Sequence, residues 1–167
     1  MLSLCFYPDE LLYKKSEPVR EIDDELKTFA KQMIETMHKA KGIGLAGVQV
    51  GRLMRIFVTH VERDKPRVFI NPQIIETSPE TRPLEEGCLS IPGIYADVVR
   101  ASALKVQAWN ERGRPFTIDA DGILARVILH EYDHLNGVLF LDHLAQDETE
   151  RLLETYSRED LRERANS

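Results

Sequence analysis

Apolar residues recur at three- and four-residue steps in three stretches of the chain, and each stretch predicts an amphipathic helix. The first stretch covers residues 22–41, and the second covers about 122–136. The third covers residues 147–165 and has charges of alternating sign, a pattern typical of a solvated helix face. Helices are therefore expected near the start, in the last third and at the end of the chain.

Between the first two helices, shorter runs rich in β-branched and aromatic residues predict strands. These runs are Arg55–Thr59, Arg67–Ile70, Gln73–Thr77, Ala103–Trp109 and Phe116–Ile118. Asn71-Pro72 is expected to end the second run, and Asn110–Gly113 is expected to join the last two in a hairpin. The elements together predict an α+β fold with antiparallel or mixed sheets around a central helix and a further C-terminal helix. At 167 residues, the chain (1–167) is expected to form a single catalytic domain.

The composition narrows the classes of function. The formal net charge of −6 argues against broad nucleic-acid binding. No apolar run approaches the ~20 residues of a membrane span, and the N-terminal stretch lacks the basic region of a signal peptide. Cys5 and Cys88 could form a disulfide, but two thiols in such a chain are more typical of a reducing compartment or a metal site. We therefore expect a cytoplasmic protein.

The strongest chemical signal is the stretch His130-Glu131-Tyr132-Asp133-His134, which lies within the second predicted helix. Residues four apart lie on one face of a helix, so both imidazoles can reach one metal ion. Glu131 is then placed to accept a proton from water at that ion. A catalytic site of this kind needs a third protein ligand and one open position.

Three positions are candidates for the third ligand. A metzincin has its third His where this chain has Phe140, which cannot coordinate a metal, and His143 is off register. A gluzincin uses a downstream Glu, and Glu154 has a compatible spacing but lies in a run of mixed charge. Cys88 is flanked by glycine and proline that restrict the backbone, and a thiolate is a strong ligand for a divalent ion. The accompanying H-E-x-x-H favours Cys88.

A glycine-rich stretch, Gly42–Gly51, matches neither the dinucleotide-binding fingerprint nor a P-loop. Such a segment lets the backbone approach a ligand closely. Gln49 is the one polar side chain within it, and its amide N–H could donate a hydrogen bond to an oxyanion.

These three segments together resemble the motifs of the peptide deformylase family, which read G-I-G-L-A-A-x-Q, E-G-C-L-S and H-E-x-D-H. In this chain they are Gly42–Gln49, Glu86–Ser90 and His130–His134, in that order. Further similarity at Tyr7-Pro8-Asp9 and Gly137–Phe140 extends the resemblance over nearly the whole chain.

The resemblance implies a metal-dependent hydrolase that removes the N-formyl group from the N-terminal formyl-methionine of newly made proteins and releases formate. It implies that Cys88, His130 and His134 hold one divalent ion, expected to be Fe²⁺, with Zn²⁺, Ni²⁺ or Co²⁺ as alternatives. The implied partners are N-formyl-methionyl nascent polypeptides, with a transient ribosome contact as a candidate. Neither a membrane nor a specific nucleic-acid sequence is expected as a partner.

The resemblance also implies the catalytic groups and the substrate pocket. Glu131 is the expected general base, which later donates its proton to the leaving amine, while Gln49 and the backbone N–H of Leu89 are the expected oxyanion donors. The residues expected to bind the substrate, in an apolar pocket for the methionine side chain, are Ile43, Gly44, Leu89 and Val127.

Two arginines and one departure from the family pattern complete the expectations. Arg100 matches a frequent Arg of the family, and we expect it to pair with Glu86 and support the Cys88 segment. Arg126 either flanks the pocket or is solvated. Gly47-Val48 replaces the usual Ala-Pro, so the loop that carries Gln49 is expected to be less rigid.

Two other functions are open at this point. The chain could be a metallopeptidase of another class, which would need a third ligand other than Cys88. It could also be a non-enzymatic metal-binding module, which would need a closed site with four ligands.

Overall fold

The computed structural model describes residues 2–156, and these form an α+β fold. The helices are α1 (Asp24–Lys39), α2 (Gly122–Leu135) and α3 (Gln146–Leu153). The strands are β1 (Gly44–Ala46), β2 (Ile56–Thr59), β3 (Arg67–Thr77), β4 (Thr81–Cys88), β5 (Ile91–Ala101), β6 (Ala103–Trp109) and β7 (Pro115–Asp121). An antiparallel five-stranded sheet has the order β1-β2-β3-β6-β7, and β4 pairs with β5 in a separate two-stranded ribbon. The predicted fold class is confirmed.

Strand β2 shows how the two main helices are placed. Successive side chains of a strand point to opposite faces of its sheet. Phe57 packs in the cluster that contains the apolar face of α2, whereas Ile56 and Val58 pack in the cluster that contains the apolar face of α1. All four residues of β2 are buried, because both faces of the sheet are covered. Helix α2 is thus central, as predicted.

Arg55 holds the C-terminal end of α2 through two hydrogen bonds. The guanidinium of Arg55 donates from Nη1 to the Leu135 carbonyl at 2.9 Å and to Asn136 Oδ1 at 3.1 Å. The first of these bonds satisfies a backbone carbonyl that the end of a helix leaves without an intrahelical partner. Gly137 follows with φ +73°, a left-handed conformation that favours glycine after a helix. The last turn of α2 therefore has a fixed position relative to the sheet.

The expected end of a strand at Asn71-Pro72 was wrong, because β3 continues through both residues to Thr77. The strand accommodates them with a bulge: Ile70 is opposite Trp109, and the next paired residue, Gln73, is opposite Gln107. Asn71 has φ +50°, a conformation that asparagine tolerates better than most residues. A proline within a bulge does not have to supply a ladder hydrogen bond.

Strands β4 and β5 were not predicted from the sequence. The buried residues of β5 do alternate, at Ile94, Ala96, Val98 and Arg100. One of the four inward positions carries an arginine, which breaks the apolar pattern that normally identifies a half-buried strand. The ribbon packs on Leu139–Leu141 and on part of the N-terminal segment. Cys88 lies at the end of β4, at the turn of this ribbon.

Helix α3 begins close to the predicted position and ends at Leu153. Residues 157–165 of the predicted C-terminal helix lie outside the described residues. Within residues 2–156, no helix is both long enough and apolar enough to cross a membrane.

Candidate metal centre

The three residues with the strongest ligand chemistry meet at one point. His130 and His134 lie one turn apart on α2, with ring centroids separated by 5.1 Å. Cys88 reaches them from the end of β4, and its Sγ is 3.4 Å from His134 Nε2. The three donor atoms all lie within 4.8 Å of one another. Within the described residues, no other group of three or more His, Cys, Asp or Glu has this arrangement.

The ribbon brings Cys88 to this point through a tight local turn. Gly87 is opposite Tyr95, whereas Cys88 is opposite Ile91, so the register shifts between the two pairs. A Cβ at position 87 would lie 2.5 Å from Tyr95 Cε1. The Tyr95 ring lies directly against the backbone next to the cysteine, so a side chain at position 87 would have to displace that ring.

The donor set fits a divalent transition-metal ion. A thiolate and two imidazoles are ligands that Fe²⁺ and Zn²⁺ both accept, and three protein ligands leave a coordination position for water or substrate. Glu131 Oε1 and His134 Nδ1 are buried and have no hydrogen-bond partner among the described residues. A buried carboxylate oxygen beside three converging ligands fits a site built to handle a polar reactant.

Glu86 fixes the orientation of His130. Its Oε1 lies 2.9 Å from His130 Nδ1, which leaves the Nε2 of the same ring for a metal ion. Arg100 donates from Nε and Nη2 to the two oxygens of Glu86, at 2.7 and 3.0 Å. The expected pair between Arg100 and Glu86 is thus present. Burial opposes the charge on Glu86, but the His130 and Arg100 bonds outweigh it and hold the pKa of this carboxyl well below its usual value.

Arg126 has neither of the two locations considered from the sequence. It is buried, and its Nη1 donates to Glu86 Oε2 at 2.8 Å and to the Val98 carbonyl at 2.6 Å, while Nη2 donates to the Arg82 carbonyl at 2.7 Å. Two guanidinium groups therefore share one carboxylate. The separation of four residues from His130 indicates a shared helix face, but the buried acceptors come from β4 and β5, which were not predicted.

Asp133 extends the network to the surface. Its Oδ2 accepts from Arg100 Nη1 at 2.8 Å and lies 2.8 Å from His143 Nε2. His143 is thereby paired with Asp133 and is not one of the three converging donors. The second carboxylate of the H-E-x-D-H stretch thus pairs with Arg100, a contact for which the sequence offered no separate signal.

The two rejected positions for a third ligand have other contacts. The Phe140 ring stacks on the His130 ring, with centroids 6.0 Å apart and planes inclined by 27°. Glu154 is exposed at the C-terminal end of α3 and is not among the converging donors. Neither position competes with Cys88 in this structure.

Glu131 lies on the same helix face as the two histidines and is only 3% exposed. Its Oε2 is 4.0 Å from His130 Nε2. Burial raises the pKa of the Glu131 carboxyl to about 7, although the positive field of His130 opposes the rise. A carboxyl with such a pKa can both accept and release a proton near neutral pH.

Gln49 is held inside the 3₁₀ turn that follows β1. Its Oε1 accepts from the Ala46 backbone N–H at 2.9 Å, and the side chain is 1% exposed. Its Nε2 is 3.6 Å from Cys88 Sγ and 3.1 Å from Ser90 Oγ. The amide nitrogen therefore faces the cysteine that contributes to the candidate metal centre.

The predicted substrate-binding residues surround the same point. A Cβ at Gly44 would lie 2.7 Å from Val127 Cγ1 and 2.5 Å from Glu131 Oε2, so the backbone of β1 passes directly over the helix face. A Cβ at Gly42 would lie 2.6 Å from Leu89 Cδ1. Ile43, between the two glycines, is 47% exposed, which is high for a large apolar side chain. The side chain of Ile43 is therefore accessible from solvent beside the candidate metal centre.

The loop around Gly47-Val48 is closely packed. Val48 is fully buried. A Cβ at Gly47 would lie 3.0 Å from Ile56 Cγ2 and 3.1 Å from the Arg52 carbonyl oxygen. The reduced rigidity expected from these two residues stays a prediction.

We compared the sequence and the fold with those of known proteins, and the matches are to one family. The sequence profile of the family described as Polypeptide deformylase matches residues 1–150. The chain is 46% identical over 159 residues to a peptide deformylase of Borreliella burgdorferi, a match that covers 95% of this chain and 96% of that protein. It is 49% identical over 154 residues to that of Chromobacterium violaceum, covering 91% and 92% of the two chains. A crystal structure of a peptide deformylase from Synechococcus elongatus in complex with actinonin superposes with a TM-score of 0.89 at 42% identity, covering 95% of this chain and 90% of that one.

Proposed function

This chain belongs to the polypeptide deformylase family, and from that membership we propose which of its residues perform the reaction. The enzyme is a metal-dependent hydrolase that removes the N-formyl group from the N-terminal formyl-methionine of newly made proteins and releases formate. The observation that carries the residue assignment is the convergence of three ligand atoms within 4.8 Å beside a buried carboxylate.

Cys88, His130 and His134 would hold one divalent ion, and we propose Fe²⁺ as the ion in the cell, with Zn²⁺, Ni²⁺ or Co²⁺ able to replace it. When bound, the ion supplies Lewis acidity, which in favourable protein sites brings the pKa of water from 15.7 down to about 7. Glu86 keeps the His130 ring in the ligand orientation through the bond to Nδ1. Arg100 and Arg126 in turn keep Glu86 ionised and in place.

Glu131 is the general base in this proposal. Its carboxylate accepts a proton from the attacking water while oxygen adds to the formyl carbon. When the bond between that carbon and nitrogen breaks, Glu131 returns the proton to the leaving amine. The products are formate and a peptide with a free amino terminus, so the atoms and protons balance without any other reactant.

Gln49 and the backbone N–H of Leu89 stabilise the negative charge that develops on the formyl oxygen. The side-chain amide of Gln49 is already fixed by Ala46 and faces Cys88, so little reorganisation is needed when the charge appears. Leu89 directly follows Cys88, so its N–H lies close to the same centre.

We expect the Gln49→Ala variant to lose a factor of about 10²–10³ in kcat, the typical loss when one oxyanion donor is removed. Its metal content should stay at the wild-type level, because Gln49 contributes no ligand. Formate release and metal analysis measure the two quantities. Gln73→Ala, at an exposed position of β3, is the control and should keep full activity. A Gln49→Ala enzyme with wild-type kcat would remove Gln49 from the mechanism.

The methionine side chain is proposed to bind against the apolar residues beside the metal centre. Val127 and Leu89 supply buried and half-buried apolar walls, and Ile43 supplies an exposed one. Gly44 lets the backbone of β1 approach Val127, since a side chain there would collide with it. The backbone of β1 and the apolar face of α2 thereby meet beside the proposed ligands.

The wider setting is also proposed. We infer that residues 1–167 form one catalytic domain, because the site takes residues from β1, β4 and α2 across most of the chain. We infer a cytoplasmic location, because a reducing compartment keeps a cysteine available as a thiolate ligand. A transient contact with the ribosome is proposed because the substrate is a nascent polypeptide.

A further inference from the structure

Two hydrogen bonds set the orientation of the Gln49 amide: its oxygen accepts one, and its nitrogen donates the other. Oε1 accepts from the Ala46 N–H at 2.9 Å, so the amide nitrogen must lie on the other side. That nitrogen carries two N–H groups. Ser90 Oγ lies 3.1 Å from Nε2 and accepts one of them, and Cys88 Sγ lies 3.6 Å from the same nitrogen. Ser90 thus determines which N–H remains directed at the candidate metal centre.

Ser90 is itself firmly held. It has no exposed surface, and its backbone carbonyl accepts from the Tyr7 N–H at 2.8 Å. The backbone carbonyl of Gln49 accepts from the Cys5 N–H at 2.7 Å. Residues 5 and 7 of the N-terminal segment therefore connect the two loops that carry the amide and the hydroxyl. With both backbones fixed, the hydroxyl has one position from which it can accept the amide N–H.

We propose that Ser90 is a positioning residue for the deformylation reaction: its hydroxyl holds one N–H of Gln49 and directs the other at the developing oxyanion. This inference rests on the proposed role of Gln49 as an oxyanion donor. Without the hydroxyl, the amide has one unpaired buried N–H, which is costly, and the nearest remaining acceptor described here is Cys88 Sγ. The amide would then no longer be held in one orientation, so its second N–H would be directed at the oxyanion less of the time.

The expected effect is on kcat and not on KM. The negative charge on the formyl oxygen exists only as the transition state forms, so a misdirected donor weakens transition-state binding and leaves substrate binding unchanged. Because Ser90 donates no ligand in the proposed site, metal content should also stay the same. A purely structural serine would instead change stability without any dependence on Gln49.

A double-mutant cycle separates these two roles. Steady-state formate release, metal content and thermal unfolding are measured for the wild type, Ser90→Ala, Gln49→Ala and the double variant. A 1 Å misplacement can cost about 10²-fold in rate, and because Ser90→Ala only loosens the amide we expect kcat to fall roughly ten-fold. In the Gln49→Ala background, Ser90→Ala should cause no further fall, because the group it positions is already gone.

Ser16→Ala is the matched control. Ser16 is buried like Ser90, but its hydroxyl has no hydrogen-bond partner among residues 2–156 and lies outside the proposed site. Its removal should leave kcat unchanged. Any general effect of deleting a buried hydroxyl would therefore appear in this variant as well.

Each contrary result has a distinct meaning. Wild-type kcat in Ser90→Ala, with a large loss in Gln49→Ala, would overturn the role of Ser90 and leave that of Gln49 intact. Equal losses from Ser90→Ala in both backgrounds would show a structural effect only, and so would also overturn it. Wild-type kcat in Gln49→Ala would remove the proposed oxyanion donor and the Ser90 inference with it.

Discussion

The Glu131→Gln variant is expected to bind its metal ion and to release almost no formate. Glutamine has nearly the same volume as glutamate but cannot accept a proton from water at neutral pH. Loss of a positioned general base typically costs a factor of about 10²–10⁴ in rate. The loss here should lie at the upper end, because Glu131 is proposed both to accept the proton from water and to return it to the amine. Metal analysis and formate release on one preparation measure both quantities.

The control for this variant is Glu154→Gln, at an exposed carboxylate on the end of α3. It makes the same chemical change far from the converging ligands and should keep full activity. If Glu131→Gln released formate at more than about a tenth of the wild-type rate, well outside the range typical of a lost general base, another group would have to be the base.

The Cys88→Ala variant is expected to lose both the metal ion and the activity. Removal of an outer residue that only orients a ligand typically lowers metal affinity about 10–100-fold, and the loss of a ligand itself should exceed that. Arg100, Arg126 and Glu86 would still orient His130, so the fold should persist while the third donor is missing. Metal content after dialysis and circular dichroism measure the two effects.

This variant also separates the proposed enzyme from a metallopeptidase that uses Glu154. A peptidase of that kind would keep its metal after the loss of Cys88. Cys5→Ala removes the other thiol of the chain but leaves its backbone N–H, and it should keep both metal and activity. Retention of one equivalent of metal by Cys88→Ala would therefore contradict the ligand set.

The parts of the fold with a regular period were predictable from the sequence. Helix α2 was predicted within one residue of its observed end, and the hairpin of β6 and β7 was predicted around its turn. The continuation of β3 was missed because Asn71-Pro72 usually stops a strand, and only the pairing with β6 shows that a bulge accommodates it. The periodicity of apolar residues predicts a helix or a strand from its own sequence. A β-bulge instead depends on the pairing with the neighbouring strand, which that periodicity does not contain.

The candidate site shows the same contrast between local pattern and long-range contact. Groups that lie close together in the sequence were predicted, and groups that depend on distant partners were not. The two histidines and Glu131 form one helical pattern, so their geometry follows from spacing alone. Arg126 and Ser90 instead form hydrogen bonds with residues more than 40 positions away, Arg126 with Arg82 and Ser90 with Gln49. Arg126 bonds to Glu86 on β4 and to the Val98 carbonyl on β5, two strands that the sequence did not reveal. The hydrogen bonds of such a buried polar network can therefore be identified only once the positions of these strands are known.

Gly47 shows how a departure from the family pattern can be read in the structure. Glycine at this position was expected to loosen the loop that carries Gln49. In the structure, a Cβ at Gly47 would be 3.0 Å from Ile56 Cγ2 and 3.2 Å from the Met54 carbonyl oxygen. The absence of a side chain thus lets neighbouring backbone approach this position, while the expected loss of rigidity stays a prediction.

The most direct test of the account is formate release by the wild-type enzyme after anaerobic purification, with metal content measured on the same sample. Anaerobic handling protects a thiolate ligand from oxidation. The account predicts that protein with one equivalent of divalent metal releases formate from formyl-Met-Ala, that a chelator abolishes release, and that added Fe²⁺ restores it. A correctly folded protein with one equivalent of metal that releases no formate from this peptide would contradict the account.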